Sequence, residues 1–117
     1  MPKTLYQKLV DSHTVLRLDA QNVLLYVDLH IMNEYTSPQA FAGLKQHGRA
    51  VAAPAQQMAV VDHIIPTHPV SFRVIQDVPS ALQATNLARN CKEHGIVLFD
   101  TNDALQGIEH VIAPELG

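Results

Sequence analysis

The sequence predicts an α/β fold with a mainly parallel sheet, and three observations support it. Short apolar runs at 22–31, 58–61 and 96–99 read as buried strands. Stretches with helical spacing and helix-start residues lie between them. The two kinds of segment alternate along the chain, which is the pattern of a layered α/β architecture.

The elements follow in order. Leu5, Leu9 and Val10 recur at helical spacing behind Thr4, a capping residue, so 4–13 is predicted helical. Residues 22–31 are dense in aliphatic and β-branched side chains and are predicted to form one buried strand, flanked by Asp19 and Gln21. Ser37 followed by Pro38 is a helix start, with Phe41 and Leu44 turned inward and an end near Gly48. A loop with Pro54 follows over 49–56. The run from Met58 to Val61 then ends abruptly in Asp62 and His63, as a strand does when it delivers polar groups at its C-terminal edge. Pro66 and Pro69 break the next stretch. Ser80 is expected to cap a helix that turns Leu82, Leu87 and Cys91 inward and Arg89, Lys92 and Glu93 outward, and that stops at Gly95. Residues 96–99 form a further strand, and a brief helix is expected after Asn102. The chain closes on Pro114-Glu115-Leu116-Gly117 without a closing element, which suggests a cut.

Composition narrows the function classes. With 117 residues, 47% of them hydrophobic and 16% charged, the chain suits one globular domain. Its formal net charge is -3 and it has no basic stripe, which argues against nucleic acid as a partner. No apolar run is long enough for a membrane span or a signal peptide, so no membrane partner and a cytoplasmic location are expected. Cys91 is the single cysteine, so neither a disulfide nor a cluster on three or four thiolates can be built from this chain.

Asp62-His63 is the most informative pair. A carboxylate beside an imidazole fixes its tautomer and supports its protonated form, as general acid–base chemistry requires; two solvated polar groups at a strand end fit the same dipeptide. His30 ends the strongest apolar run, and Asp28 lies on the same side of that run, so a polar pair is geometrically allowed. His110 follows Gly107, a residue that permits close backbone approach to a ligand or simply a turn. His47 and His94 each precede a glycine at a helix end, where a cation is favoured, while His13 and His68 lie at a helix end or in a loop. Cys91 reads as a small core residue.

Several of these residues sit in longer patterns. Thr4-Leu5-Tyr6-Gln7-Lys8-Leu9, Leu24-Leu25-Tyr26-Val27-Asp28-Leu29-His30 and Glu34-Tyr35-Thr36-Ser37-Pro38-Gln39-Ala40-Phe41 resemble the opening of the 3-isopropylmalate dehydratase large subunits, a branch of the aconitase family. Val61-Asp62-His63, Asn90-Cys91-Lys92-Glu93-His94-Gly95 and Gln106-Gly107-Ile108-Glu109-His110-Val111 extend the resemblance, in the same order, over essentially the whole chain. The resemblance implies the first part of a three-layer α/β/α domain from a much longer hydro-lyase. Such an enzyme interconverts 2- and 3-isopropylmalate in leucine biosynthesis, with a 4Fe-4S cluster as Lewis acid and a small subunit completing the site. It implies Asp62, His63 and His110 as catalytic residues. His63 would give a proton to the departing water, Asp62 would orient it, and His110 would lie near the bound hydroxyl. Asn33 stands at a substrate-contacting position where these dehydratases usually carry histidine, and Ile64 stands where they commonly carry asparagine. Both departures bear on which small dicarboxylate is the substrate. The family's cluster cysteines lie beyond this stretch, so no cluster is expected on this chain and no turnover from it alone. A stand-alone dicarboxylate-binding or interaction module, without catalysis, is the competing expectation.

Overall fold

Local side-chain chemistry sets the helix boundaries. Thr4 Oγ1 accepts from the Gln7 amide at 3.2 Å while Gln7 Oε1 accepts from the Thr4 amide at 2.9 Å, a reciprocal capping box that opens α1, Leu5–His13. Pro38 occupies the first turn of α2, Pro38–Gln46, behind Ser37, and His47 closes the helix. Helix α3, Val78–His94, begins three residues before the helix inferred from a Ser80 cap. Asp77 is the cap, accepting from the Ser80 amide at 2.9 Å and the Ser80 hydroxyl at 2.6 Å. Ser80 is therefore the capped residue. Gly95, at φ 70°, supplies the left-handed turn that ends α3, and the Ile96 amide returns to the Cys91 carbonyl at 2.9 Å.

The computed structural model describes residues 2–68 and 74–116; Pro69 lies outside them. The strands are β1 Thr14–Arg17, β2 Val23–Leu25, β3 His30–Asn33, β4 Gln57–Val60 and β5 Val97–Phe99. A 3-10 turn at Pro54–Gln56 leads into β4, and α4 spans Glu109–Leu116. Strands β3, β4 and β5 are parallel neighbours in that order, with Met32 beside Ala59 and Ala59 beside Leu98. The parallel sheet expected from the alternation of elements is therefore present.

The apolar run at 22–31 is not one strand. Its first part, β2, pairs antiparallel with β1, whereas its end, β3, enters the parallel sheet. Between them the Tyr26 amide bonds the His13 carbonyl at 2.8 Å, and Asp28 Oδ2 lies 2.9 Å from His13 Nε2. Asp28 therefore pairs with His13 and not with His30, whose Nδ1 meets Gln57 Oε1 at 2.7 Å. The early half of the run is also exposed, at Leu24, Leu25, Tyr26 and Val27.

Met32, Ala59, Val61 and Ile96 form the core with Phe41 of α2 and Ala84, Leu87 and Cys91 of α3. Phe41 stacks on His94 with ring centroids 5.5 Å apart, joining the two helices. Leu82, expected inside, is exposed, because the inward stripe of α3 runs through positions 84, 87 and 91. Asn33, Val60 and Phe99 are register partners and face away from this core, since side chains alternate along a strand. Asn33 reaches Glu109 of α4 on that side. The residues after Asn102 form turns, and the helix comes later, at α4. Among the described residues, no helix is long and apolar enough to cross a membrane.

Candidate active site

Parallel strands end at a common edge, and here that edge gathers the polar residues of β3 and β4. Strand β3 runs out into Asn33, Glu34 and Tyr35, and β4 continues through Val61 into Asp62 and His63. Val61 stays tied to the sheet, its amide bonding the Phe99 carbonyl at 3.1 Å. Its own carbonyl accepts from the Gly107 amide at 3.2 Å and from Gln106 Nε2 at 3.1 Å. These bonds bring the segment before α4 against the end of β4. Gly107 adopts φ 75°, and a Cβ there would stand 3.6 Å from Asp62 Oδ1.

Beyond Val61 the sheet offers Asp62, His63 and Ile64 no ladder partner, and Glu34 takes its place. Its fully buried carboxylate accepts from the Asp62 amide at 3.1 Å, the His63 amide at 2.6 Å and the Ile64 amide at 2.7 Å. Successive backbone N–H groups pointing at one anion form a concave nest. Asn33 is also committed. Its Oδ1 accepts, at 3.0 Å each, from the Tyr35 and Thr36 amides and from the Thr36 hydroxyl. Its Nδ2 donates to Glu109 Oε1 at 3.4 Å.

Ligand atoms of Asp62, His63 and Glu109 lie within 4.8 Å of one another. His63 Nδ1 is 3.8 Å from Asp62 Oδ2, in ion-pair range and beyond a hydrogen bond. The imidazole lies nearly parallel to the Tyr35 ring, at an interplanar angle of 4° and a centroid separation of 6.2 Å. The Asp62 side chain is 16% exposed and that of His63 36%, so the imidazole is the one presented to solvent. Among the described residues, Oε2 of Glu109 is buried without a hydrogen-bond partner. A donor from outside the chain, such as a ligand hydroxyl, would satisfy it.

The structure thus brings together Asp62, His63 and Asn33. His110 is exposed on α4, next to Glu109 but outside that cluster of ligand atoms. Glu34 and Glu109 were missed. A sequence signal existed for Glu34, a carboxylate between two aromatic or amide residues at the end of an apolar run; only its burial reveals the role. Two clefts, of about 540 Å³ beside α1 and about 370 Å³ beside α2, do not include Asp62, His63 or Glu109. The polar cluster sits instead where parallel strands end, the edge at which open α/β sheets bind ligands.

Residues 7–117 match the aconitase family (aconitate hydratase). The chain belongs to the aconitase family. It is 49% identical over 116 residues to the 3-isopropylmalate dehydratase large subunit 2 of Salmonella choleraesuis (strain SC-B67), and 48% identical over 116 residues to that of Salmonella typhimurium (strain LT2). Both alignments cover 98% of this chain, which spans 24% of the length of each relative. No solved structure matches it.

The aconitase-family cluster implied by the sequence resemblance finds no fit among these residues. A 4Fe-4S centre takes three or four thiolates. The single thiol, Cys91, is buried in α3 among core side chains, and burial pushes its pKa up to about 11. It is a packing residue.

Proposed function

We propose that the chain is the N-terminal portion of a 3-isopropylmalate dehydratase large subunit, and that its Asp62-His63 edge handles the substrate hydroxyl. The complete protein would continue the parallel sheet and the α2–α3 layer into a three-layer α/β/α domain in the cytoplasm. It would take a small subunit as partner and interconvert 2- and 3-isopropylmalate in leucine biosynthesis. The observation that supports this reading is the presentation of an imidazole, His63, beside a carboxylate at the end of a parallel strand.

The chemistry follows from dehydration. A hydroxyl leaves as water only when it gains a proton, and a proton must leave the neighbouring carbon. His63 supplies the first proton, and the base that takes the second would lie outside this chain. Asp62 lies at ion-pair distance from the imidazole and would orient it, and the ring lies beside that of Tyr35. The unsatisfied oxygen of Glu109 is the acceptor available to a substrate hydroxyl. Asn33 contributes to substrate binding through Nδ2, since its Oδ1 is already shared by three donors. His110, exposed on α4 next to Glu109, is the third catalytic residue implied by the family resemblance. The iron cluster, the Lewis acid of the family, would be held by residues outside this chain, and no step above depends on it.

The test is turnover by the full-length large subunit assembled with its small subunit. Replacing His63 by Asn keeps size and polarity but removes the proton donor, and should lower kcat by about 10²–10⁴-fold. Replacing Asp62 by Asn should lower it less. Full activity in the His63→Asn enzyme would refute the assignment. Iron-independent dicarboxylate binding by the 117-residue chain alone would favour the non-catalytic module.

A further inference from the structure

Three consecutive residues at the end of β3 reach three different parts of the site. Asn33 contacts Glu109, Glu34 takes the amides of residues 62–64, and Tyr35 lies against the His63 ring. Glu34 is the unusual member. It is fully buried, and among the described residues no cation pairs with it. A buried carboxylate is costly unless its lone pairs are occupied, and here three backbone donors occupy them. Those donors need it equally, because the chain leaves the sheet after Val61 and, among the described residues, Glu34 is the acceptor that meets them.

We propose that Glu34 is a positioning residue: its carboxylate clamps the backbone of residues 62–64 and so sets where His63 presents its proton. This rests on the reading of His63 as the proton donor. The clamp acts on backbone atoms, so it fixes the directions of two adjacent side chains at once. It holds Asp62 mostly inward and His63 outward, and it ties both to the strand that carries Asn33. Substrate contact and proton delivery are thereby referred to one three-residue segment. A shift on the order of 1 Å in a reacting group costs about 10²-fold in rate, which sets the scale of the effect.

Two variants separate positioning from folding. Glu34→Gln keeps the shape but sets an amide nitrogen against the Asp62 N–H. Glu34→Asp keeps the charge but withdraws it by one methylene. Two readouts apply to each. In the full-length large subunit, hydrogen–deuterium exchange should show the amides of Asp62, His63 and Ile64 exchanging at least tenfold faster. In the assembled dehydratase, kcat per correctly assembled enzyme should fall about 100-fold, with KM within about threefold and a displaced acid limb in the pH profile. Amides that exchange no faster in both variants overturn the clamp. Normal kcat with a lower yield of assembled enzyme means that Glu34 serves folding only, and overturns the positioning role. If Glu34→Gln does not fold, Glu34→Asp decides by the same readouts. A wild-type enzyme that does not turn over isopropylmalate refutes the proposed function instead, a result the amide measurement does not depend on.

Discussion

The bonds that place Asp62 also constrain its neighbour across the gap, Gly107. The Gly107 amide bonds the Val61 carbonyl at 3.2 Å, one residue before Asp62, and its φ of 75° lies where side chains are strained. A Cβ would meet Asp62 Oδ1 at an ordinary 3.6 Å, so the cost of Gly107→Ala is conformational and not steric. It should amount to about 1 kcal/mol, or a fall in Tm of roughly 4 °C in a thermal melt followed by circular dichroism. An unchanged Tm would mean that the backbone escapes the left-handed region without loss. At this scale the sequence was partly legible. Asp62 and His63 could be singled out because their types carry chemistry and they end an apolar run, whereas Asn33 stood out only through the family resemblance. Glu34 and Glu109 could not, because their importance lies in burial and in partners 28 to 30 and 76 residues away.

Among the elements, the helices were the most legible, since their signals are local: the Thr4 box, the Ser37-Pro38 start and the Gly95 stop act within a few residues. Ser80 misled because Asp77, three residues earlier, competes for the same role with a charged acceptor. The run at 22–31 misled for a different reason. Apolar density does not say which sheet a strand joins, and Asp28 was the one interruption that marked the change. Its pairing with His13 makes a testable joint between α1 and the segment after β2. The hydrogen bond to Asp28 raises the His13 pKa above 6.5, and the same bond lowers the Asp28 pKa below 3.8. His13 therefore contributes fully below pH 6.5 and loses its contribution as pH rises through its raised value. Asp28 contributes above pH 3.8 and loses its part as pH falls through its lowered value. The joint is complete between these limits. Both side chains are well exposed, so global stability should barely respond. The local response is measurable by NMR. In Asp28→Asn the His13 titration midpoint should fall towards 6.5, and the Tyr26 amide, bonded to the His13 carbonyl, should exchange faster. An unmoved midpoint would show that the bond does not form in solution.

The whole molecule is larger on the outside than its mass requires. Its accessible surface is 8572 Å², against about 6,300 Å² for a folded monomer of this mass. Its radius of gyration is 17.1 Å, where about 13 Å is usual for this length. Much of the excess is apolar and lies on α1 and the β1–β2 ribbon, where Leu5, Tyr6, Val15, Leu16, Leu18, Leu24, Tyr26 and Val27 are exposed. Composition gave no warning of this. A hydrophobic content of 47% looks the same whether a chain covers its apolar residues itself or presents them to further polypeptide. At about 25 cal/mol per Å² the uncovered area drives association strongly, so the isolated chain should sediment as oligomers at roughly tens of micromolar and bind a hydrophobic dye. Leu16 and Leu24 are cross-strand partners on the ribbon, both exposed. Changing both to Lys should shift the population towards the 12.9 kDa monomer without loosening the β3–β4–β5 sheet. A wild-type chain that sediments as a monomer without binding dye would instead mean that this surface is stable in water and that the ribbon needs no cover.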